Sequence, residues 1–163
     1  MKITLLIAAL ITGSIASAQI FSGKGDQKVQ IGADFQSNAS GIHGTYDYGL
    51  AENFSMGLGV NYALSLDDSI DAEFDERAVV KLRFNANIGN VINIDPMLDI
   101  YPGLAFSTKN FGGHLGARYF FTDGFGIYTE AAFPLAKYKS EALSPVEEIY
   151  NQFNVSFGLA FNF

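Results

Sequence analysis

The chain has 163 residues, a formal net charge of −7 and no cysteine, with 15 Phe, 8 Tyr and 17 Gly. Without cysteine there is no disulfide framework, no thiol chemistry and no lipid-modified N-terminus. An acidic chain lacking a basic cluster excludes nucleic acid as the expected partner, and beyond residue 18 no apolar run approaches the length of a membrane-spanning helix.

The chain opens with Met1-Lys2, an apolar run over 3–11 and Ala16-Ser17-Ala18. This order predicts a signal peptide over 1–18, cleaved between Ala18 and Gln19, and one domain over 19–163 with a charge of −8 once Lys2 is gone. Residues 20–26 read as a short polar lead. From there apolar and small or polar residues alternate, the period of a strand with one greasy face. Strands are expected over 28–36 (Val29, Ile31, Ala33, Phe35 on one face) and 41–49, joined by a turn at 37–40. A tight turn at 50–53 leads to the third, with Phe54, Met56, Leu58, Val60, Tyr62 and Leu64 on one face.

An acidic loop over 65–76 precedes the fourth strand, 77–88. A turn over 89–96, with a helical twist near Val91-Ile92, leads to the fifth, 98–106, where Pro102 removes a ladder donor and predicts a missing bond or bulge. The sixth spans 111–121 and the seventh 125–133, around a tight turn at 122–124. A second long loop, 134–148, leads to the last strand.

That last strand sets Phe153, Val155, Phe157, Leu159, Phe161 and Phe163 against Gln152, Asn154, Ser156, Gly158, Ala160 and Asn162. It resembles the C-terminal signature of bacterial outer-membrane β-barrels, carried here by Phe157, Leu159, Phe161 and Phe163. The resemblance implies that the barrel assembly machinery reads this strand during biogenesis.

Eight alternating segments of roughly ten residues predict an all-β fold, an eight-stranded antiparallel up-and-down transmembrane β-barrel. An even count brings both termini to one side, expected to be periplasmic, and sends the loops at 65–76 and 134–148 outside. A soluble lipocalin-like barrel would turn the apolar face inward. Here that would wrap a Phe-lined cavity in glycine and charge, so the outer face is expected to meet outer-membrane lipid, with Tyr48, Tyr62, Tyr119 and Tyr46 as interfacial girdle residues.

The inner face would carry Arg77, Lys81, Arg83, Arg118 and His114 beside Asp34, Asp47, Asp99 and Glu130. Charges in a narrow lumen must pair. If Phe121 faces Phe125 across the tight turn, Arg118 and Glu130 become diagonal neighbours, and a salt bridge between them is expected. Lys81 or Arg83 with Asp99 is the second expected pair. A catalytic set of His43, Ser40 and Asp34 lacks the fixed geometry that nucleophilic chemistry needs. The acids Asp67, Asp68, Asp71, Glu73, Asp75 and Glu76 have the oxygen chemistry of a calcium site but no EF-hand spacing, so no metal or cofactor is expected.

Beyond its last strand the chain resembles a family of small, uncharacterised outer-membrane β-barrel proteins of Gram-negative bacteria. The carriers are Gly23-Lys24-Gly25-Asp26, Arg83-Phe84-Asn85-Ala86-Asn87-Ile88-Gly89-Asn90, Asp99-Ile100-Tyr101-Pro102-Gly103-Leu104 and the run 112–121. The resemblance specifies a barrel type and implies no reaction. The expected role is non-enzymatic: a structural or adhesion-like barrel with a plugged, charge-paired lumen and a ligand or partner met by the loops 65–76 and 134–148. A narrow pore or conduit for hydrophobic molecules is the alternative, and an enzyme with a rim site the third.

Overall fold

The computed structural model describes residues 20–67, 72–138 and 145–163. The expected signal peptide, its cleavage site at Ala18 and Gln19, and the acids Asp68 and Asp71 lie outside the described residues. Eight antiparallel strands close in chain order into one barrel: β1 Gln27–Gln36, β2 Ala39–Ala51, β3 Phe54–Leu66, β4 Ala78–Ala86, β5 Leu98–Ser107, β6 Asn110–Thr122, β7 Phe125–Lys137 and β8 Asn154–Asn162. Short helices α1, Gly89–Ile92, and α2, Pro145–Ile149, sit in two connections. The lead segment and the C-terminal strand meet at one end of the barrel, called the near end below.

Closure rests on β1 pairing with β8, where Val29 faces Phe161, Ile31 faces Leu159 and Ala33 faces Phe157. Across this seam Phe35 and Phe157 stack with ring centroids 5.4 Å apart on the outer surface. The terminal aromatic residues thus complete the sheet, which leaves no free edge.

The faces follow the alternation. Ile31, Leu58, Val60, Leu115, Ile127, Phe157 and Leu159 are exposed around the outside, whereas Arg83, Arg118, Asp47, Asp99 and Glu130 are buried inside. This inverts a soluble globule, and a continuous apolar belt of this kind needs an apolar surround. Tyr48 and Tyr119 lie on the outer face toward the near end, while Tyr62 at the far end packs on Phe74, centroids 5.2 Å apart.

Two prolines mark irregularities. The β4–β5 register stops at Asn85 opposite Gly103, one pair before Pro102, and resumes with Ile88 N–H donating to Ile100, as a missing ladder donor dictates. The expected loop beginning at Pro134 is instead strand through Lys137. Gly112 faces Pro134 while Phe111 faces Ala136, so a bulge absorbs one residue. The β7–β8 register has ended by Ala132, so Pro134 sits where its missing N–H costs nothing on that side.

Gly113, on the outer face of β6, lies beneath the ring of Phe133; a Cβ there would meet the ring edge. The glycine is a seat for a cross-strand aromatic.

Candidate functional site

Eight strands enclose a lumen just wide enough for side chains, and here those side chains form one polar core. At the waist Arg83 donates both Nη groups to Glu130, at 3.0 and 2.7 Å, and sets Nε 3.3 Å from Asp47 Oδ1. Arg118 donates Nη1 to Asp47 Oδ2 at 3.1 Å and Nε to Asp99 Oδ2 at 3.1 Å. Asp47 therefore bridges two arginines. The Tyr101 ring lies 4.1 Å from the Arg118 guanidinium carbon, a cation–π contact. Gly116 leaves the space that this ring fills, since a Cβ there would collide with it. Arg118 is 0% exposed, and its buried charge is offset by the carboxylates of Asp47 and Asp99 and by the ring face of Tyr101.

An amide and hydroxyl chain links this waist to the walls. Asn87 donates to Asp99 Oδ2 at 2.9 Å and accepts from Ser55, which accepts from Asn85; Asn85 Oδ1 lies 2.7 Å from His114 Nε2. On the opposite wall Thr45 donates to Gln30, and Gln30 donates to the Tyr101 hydroxyl, each at 2.8 Å. Asp34 accepts from Asn154 at 2.6 Å and Ser156 at 2.7 Å.

The expected partners are therefore exchanged. The register around the tight turn is as derived, with Gly116 facing Glu130 and Arg118 facing Tyr128, except for a bulge before Thr122. Yet Arg118 reaches Asp47 and Asp99, and Glu130 takes Arg83. Register fixes neighbours along the wall, whereas long side chains in a narrow tube find partners across it. Asp99, expected with Lys81 or Arg83, belongs to Arg118 and Asn87. Lys81 lines a far-end chamber with Asp34, His114 and Glu130 and forms no direct ion pair among the described residues. Arg77 donates to the Ala72 carbonyl in the loop rather than joining the lumen.

His43 meets the Tyr128 hydroxyl at 3.0 Å, and Asp34 is taken by β8, so His43, Ser40 and Asp34 form no relay among the described residues. Of the acidic loop, Glu76 accepts from the Glu73 N–H, and the described residues contain no group of three acids arranged to hold a metal.

Among the described residues, side chains enter both mouths. The segment 20–26, expected to be a short polar lead, folds back into the near mouth: Ile20 clusters with Phe120, Tyr128 and Ala160, and Phe21 is buried beside it. Lys28 fastens this plug, donating to Ile20 O at 2.6 Å, Asp26 Oδ1 at 2.6 Å and Asn162 Oδ1 at 2.8 Å. At the far end α2 drops Ile149, 0% exposed, onto Ala39 and Ala63, and Asn110 donates to the Tyr150 carbonyl at 2.6 Å. The chamber beneath holds about 40 Å³, room for about three waters. Sequence alone marked neither closure, because Ile20, Phe21 and Ile149 stand outside any alternating run.

A family model matches residues 11–163. The chain belongs to the family of unknown function DUF6646. The membership attaches no activity to any residue. No curated protein sequence matches the chain. Among solved structures, a de novo designed transmembrane β-barrel is similar at 12% identity and a TM-score of 0.59, over 86% of this chain and 97% of that one. The N-terminal β-barrel domain of Pseudomonas aeruginosa OprF is similar at 15% identity and 0.59, over 86% and 99%. The likeness is one of fold: this DUF6646 chain has the architecture of an eight-stranded transmembrane barrel.

Proposed function

We propose that this DUF6646 protein is a non-enzymatic barrel of a Gram-negative outer membrane that works as a sealed anchor. Its far-end connections, 67–77 and 138–153, face outward and carry the contact with an extracellular ligand or partner. A leader over 1–18 directs export and is removed between Ala18 and Gln19. Both termini lie on the periplasmic side, and the assembly machinery reads Phe157, Leu159, Phe161 and Phe163. The apolar outer belt and the fold shared with transmembrane barrels support the lipid placement.

The observation that supports the sealed reading is the arginine–carboxylate waist lying between mouths entered by Ile20 and Ile149. An ion crossing the lumen would have to part Arg83 from Glu130 or Arg118 from Asp47, leaving buried charge uncompensated at a cost of about 3–5 kcal/mol.

The test is conductance of the processed protein in a planar bilayer, with heat-modifiable gel mobility confirming a folded barrel. The native protein is expected to be silent. Steady steps from the native protein, enlarged in Arg118→Ala, would overturn the sealed reading in favour of a narrow pore.

A further inference from the structure

The near mouth holds a second cavity, of about 360 Å³, within the range of sites that take small organic molecules. Its walls divide by chemistry. Ile20, Phe21 and Leu98 offer hydrocarbon, Asp95 and Asp99 offer carboxylates, and Asn90 offers an amide. Among the described residues that form the wall there is no lysine or arginine.

Neither carboxylate is spent. Asp99 is 1% exposed, and its Oδ2 accepts from Arg118 and Asn87 while its Oδ1 makes no hydrogen bond. Arg118 is divided between Asp99 and Asp47, so it does not serve Asp99 alone. Asp95 is half-buried and accepts the Met97 N–H at 2.8 Å. It has no lysine or arginine within ion-pair distance among the described residues. Lys28, whose ammonium lies 5.4 Å from the Phe21 ring centroid, is not available to either acid. Its three protons are committed to Ile20, Asp26 and Asn162. Asn90 Oδ1 is also without a donor. Buried acceptors left in this way call for a donor that carries positive charge.

A bare metal ion would answer only half of this wall. It would leave the hydrocarbon unused, and the described residues hold no group of three acids or histidines gathered to bind one. An aliphatic ammonium ion answers both halves. Its N–H donors suit the carboxylates and the amide oxygen, and its methylenes suit the apolar side. We infer that the near-mouth cavity binds a small aliphatic amine in its protonated form, the ammonium held by Asp99 and Asp95 and the chain lying against Ile20, Phe21 and Leu98. This goes beyond the sealed-anchor reading and does not depend on it, since the site sits at one mouth and asks for no passage through the lumen.

The test is isothermal titration of the protein extracted from membranes in detergent. The probe is diaminobutane, with an amine at each end. The matching butanediol, with the same carbon chain and no charge, is run beside it. Heat-modifiable gel mobility confirms that each variant is folded. Saturable binding of the diamine is expected, with none of the diol, and it should weaken as ionic strength rises. Asp95→Asn keeps an acceptor for the Met97 N–H and removes one charge from the wall, away from the arginine waist. It should weaken binding about tenfold or more. Asp95→Lys, which sets a cation in the wall, should abolish binding. No saturable binding of the diamine overturns the inference. Equal binding of diol and diamine, or an affinity unchanged in both Asp95 variants, overturns it too. So does a calcium ion that binds where the diamine does not, which would make the cavity a metal site. None of these outcomes bears on the bilayer conductance, so the two readings fail separately.

Discussion

The two mouths of the barrel are filled by side chains that are held in different ways. At the near mouth the fastener is Lys28, a residue of β1, and its partners are Asp26, Ile20 and the β8 residue Asn162. The plug is thus tied into the seam that closes the sheet. At the far mouth the fastener is Ile149, apolar and carried on a connection between strands, with Asn110 bonding to the backbone at Tyr150. The first shares Lys28 with the β1–β8 seam, so its opening is expected to be coupled to that seam. The second can lift while every strand pair remains intact, which is the condition for a low-energy local opening.

The strongest way to break this comparison is to remove what lies between the ends. Arg118→Ala deletes the cation that faces both Asp47 and Asp99, and is expected to lower unfolding stability by about 3–5 kcal/mol. Urea titration of the refolded protein, followed by gel mobility, measures it. A loss below roughly 1 kcal/mol, the scale of a surface pair, would mean that the waist is hydrated and loose. Next in size is Lys28→Met, which keeps an apolar side chain of similar length but removes the ammonium that lies over the Phe21 and Phe120 rings and pairs with Asp26. It is expected to cost about 3 kcal/mol globally, because the near plug and the seam should fail together.

The architecture was legible because a transmembrane barrel writes its fold in a period of two. Eight segments, the β6–β7 register and the ladder break at Pro102 all follow from local pattern. The lumen partners were legible only as a set. Arg83, Arg118, Lys81, Asp99 and Glu130 could be assigned to the inner face, but which carboxylate meets which arginine depends on reach across the tube. Asp47 joins both arginines from β2, far from either in sequence. The caps were not legible at all. Ile20 and Phe21 follow the expected leader, and Ile149 sits in a segment without alternation, so no periodic signal marks them as buried.

The far closure should respond more locally. Ile149→Ala removes the side chain that packs on Ala39 and Ala63, and burial of that kind contributes about 2 kcal/mol or more. The expected outcome is faster proteolysis within the connection and faster exchange of the Asn110 side-chain amide, with the global urea midpoint nearly unchanged. If the global midpoint falls as far as in Lys28→Met, the two mouths are one cooperative unit and the contrast between them fails.

The smallest expected effect sharpens the contrast by pH alone. Tyr150 is half-buried under the cap, and its hydroxyl has no hydrogen-bond partner among the described residues. Burial pushes its phenol up to about 12, with the nearby charges of Asp34 and Tyr62 acting in the same direction and Arg77 against them. In the undocked cap the phenol should ionise near its ordinary value of about 10. The docked state then holds its proton more tightly than the open one. Its advantage is complete below about pH 10 and is lost as pH rises toward about 12. Proteolysis of the connection should accelerate over that window in the native protein. In Tyr150→Phe, which keeps the ring and has no proton to lose, the rate should stay level relative to a control site on the same chain. Parallel acceleration in both proteins would assign the opening to other groups and leave Tyr150 a packing residue only.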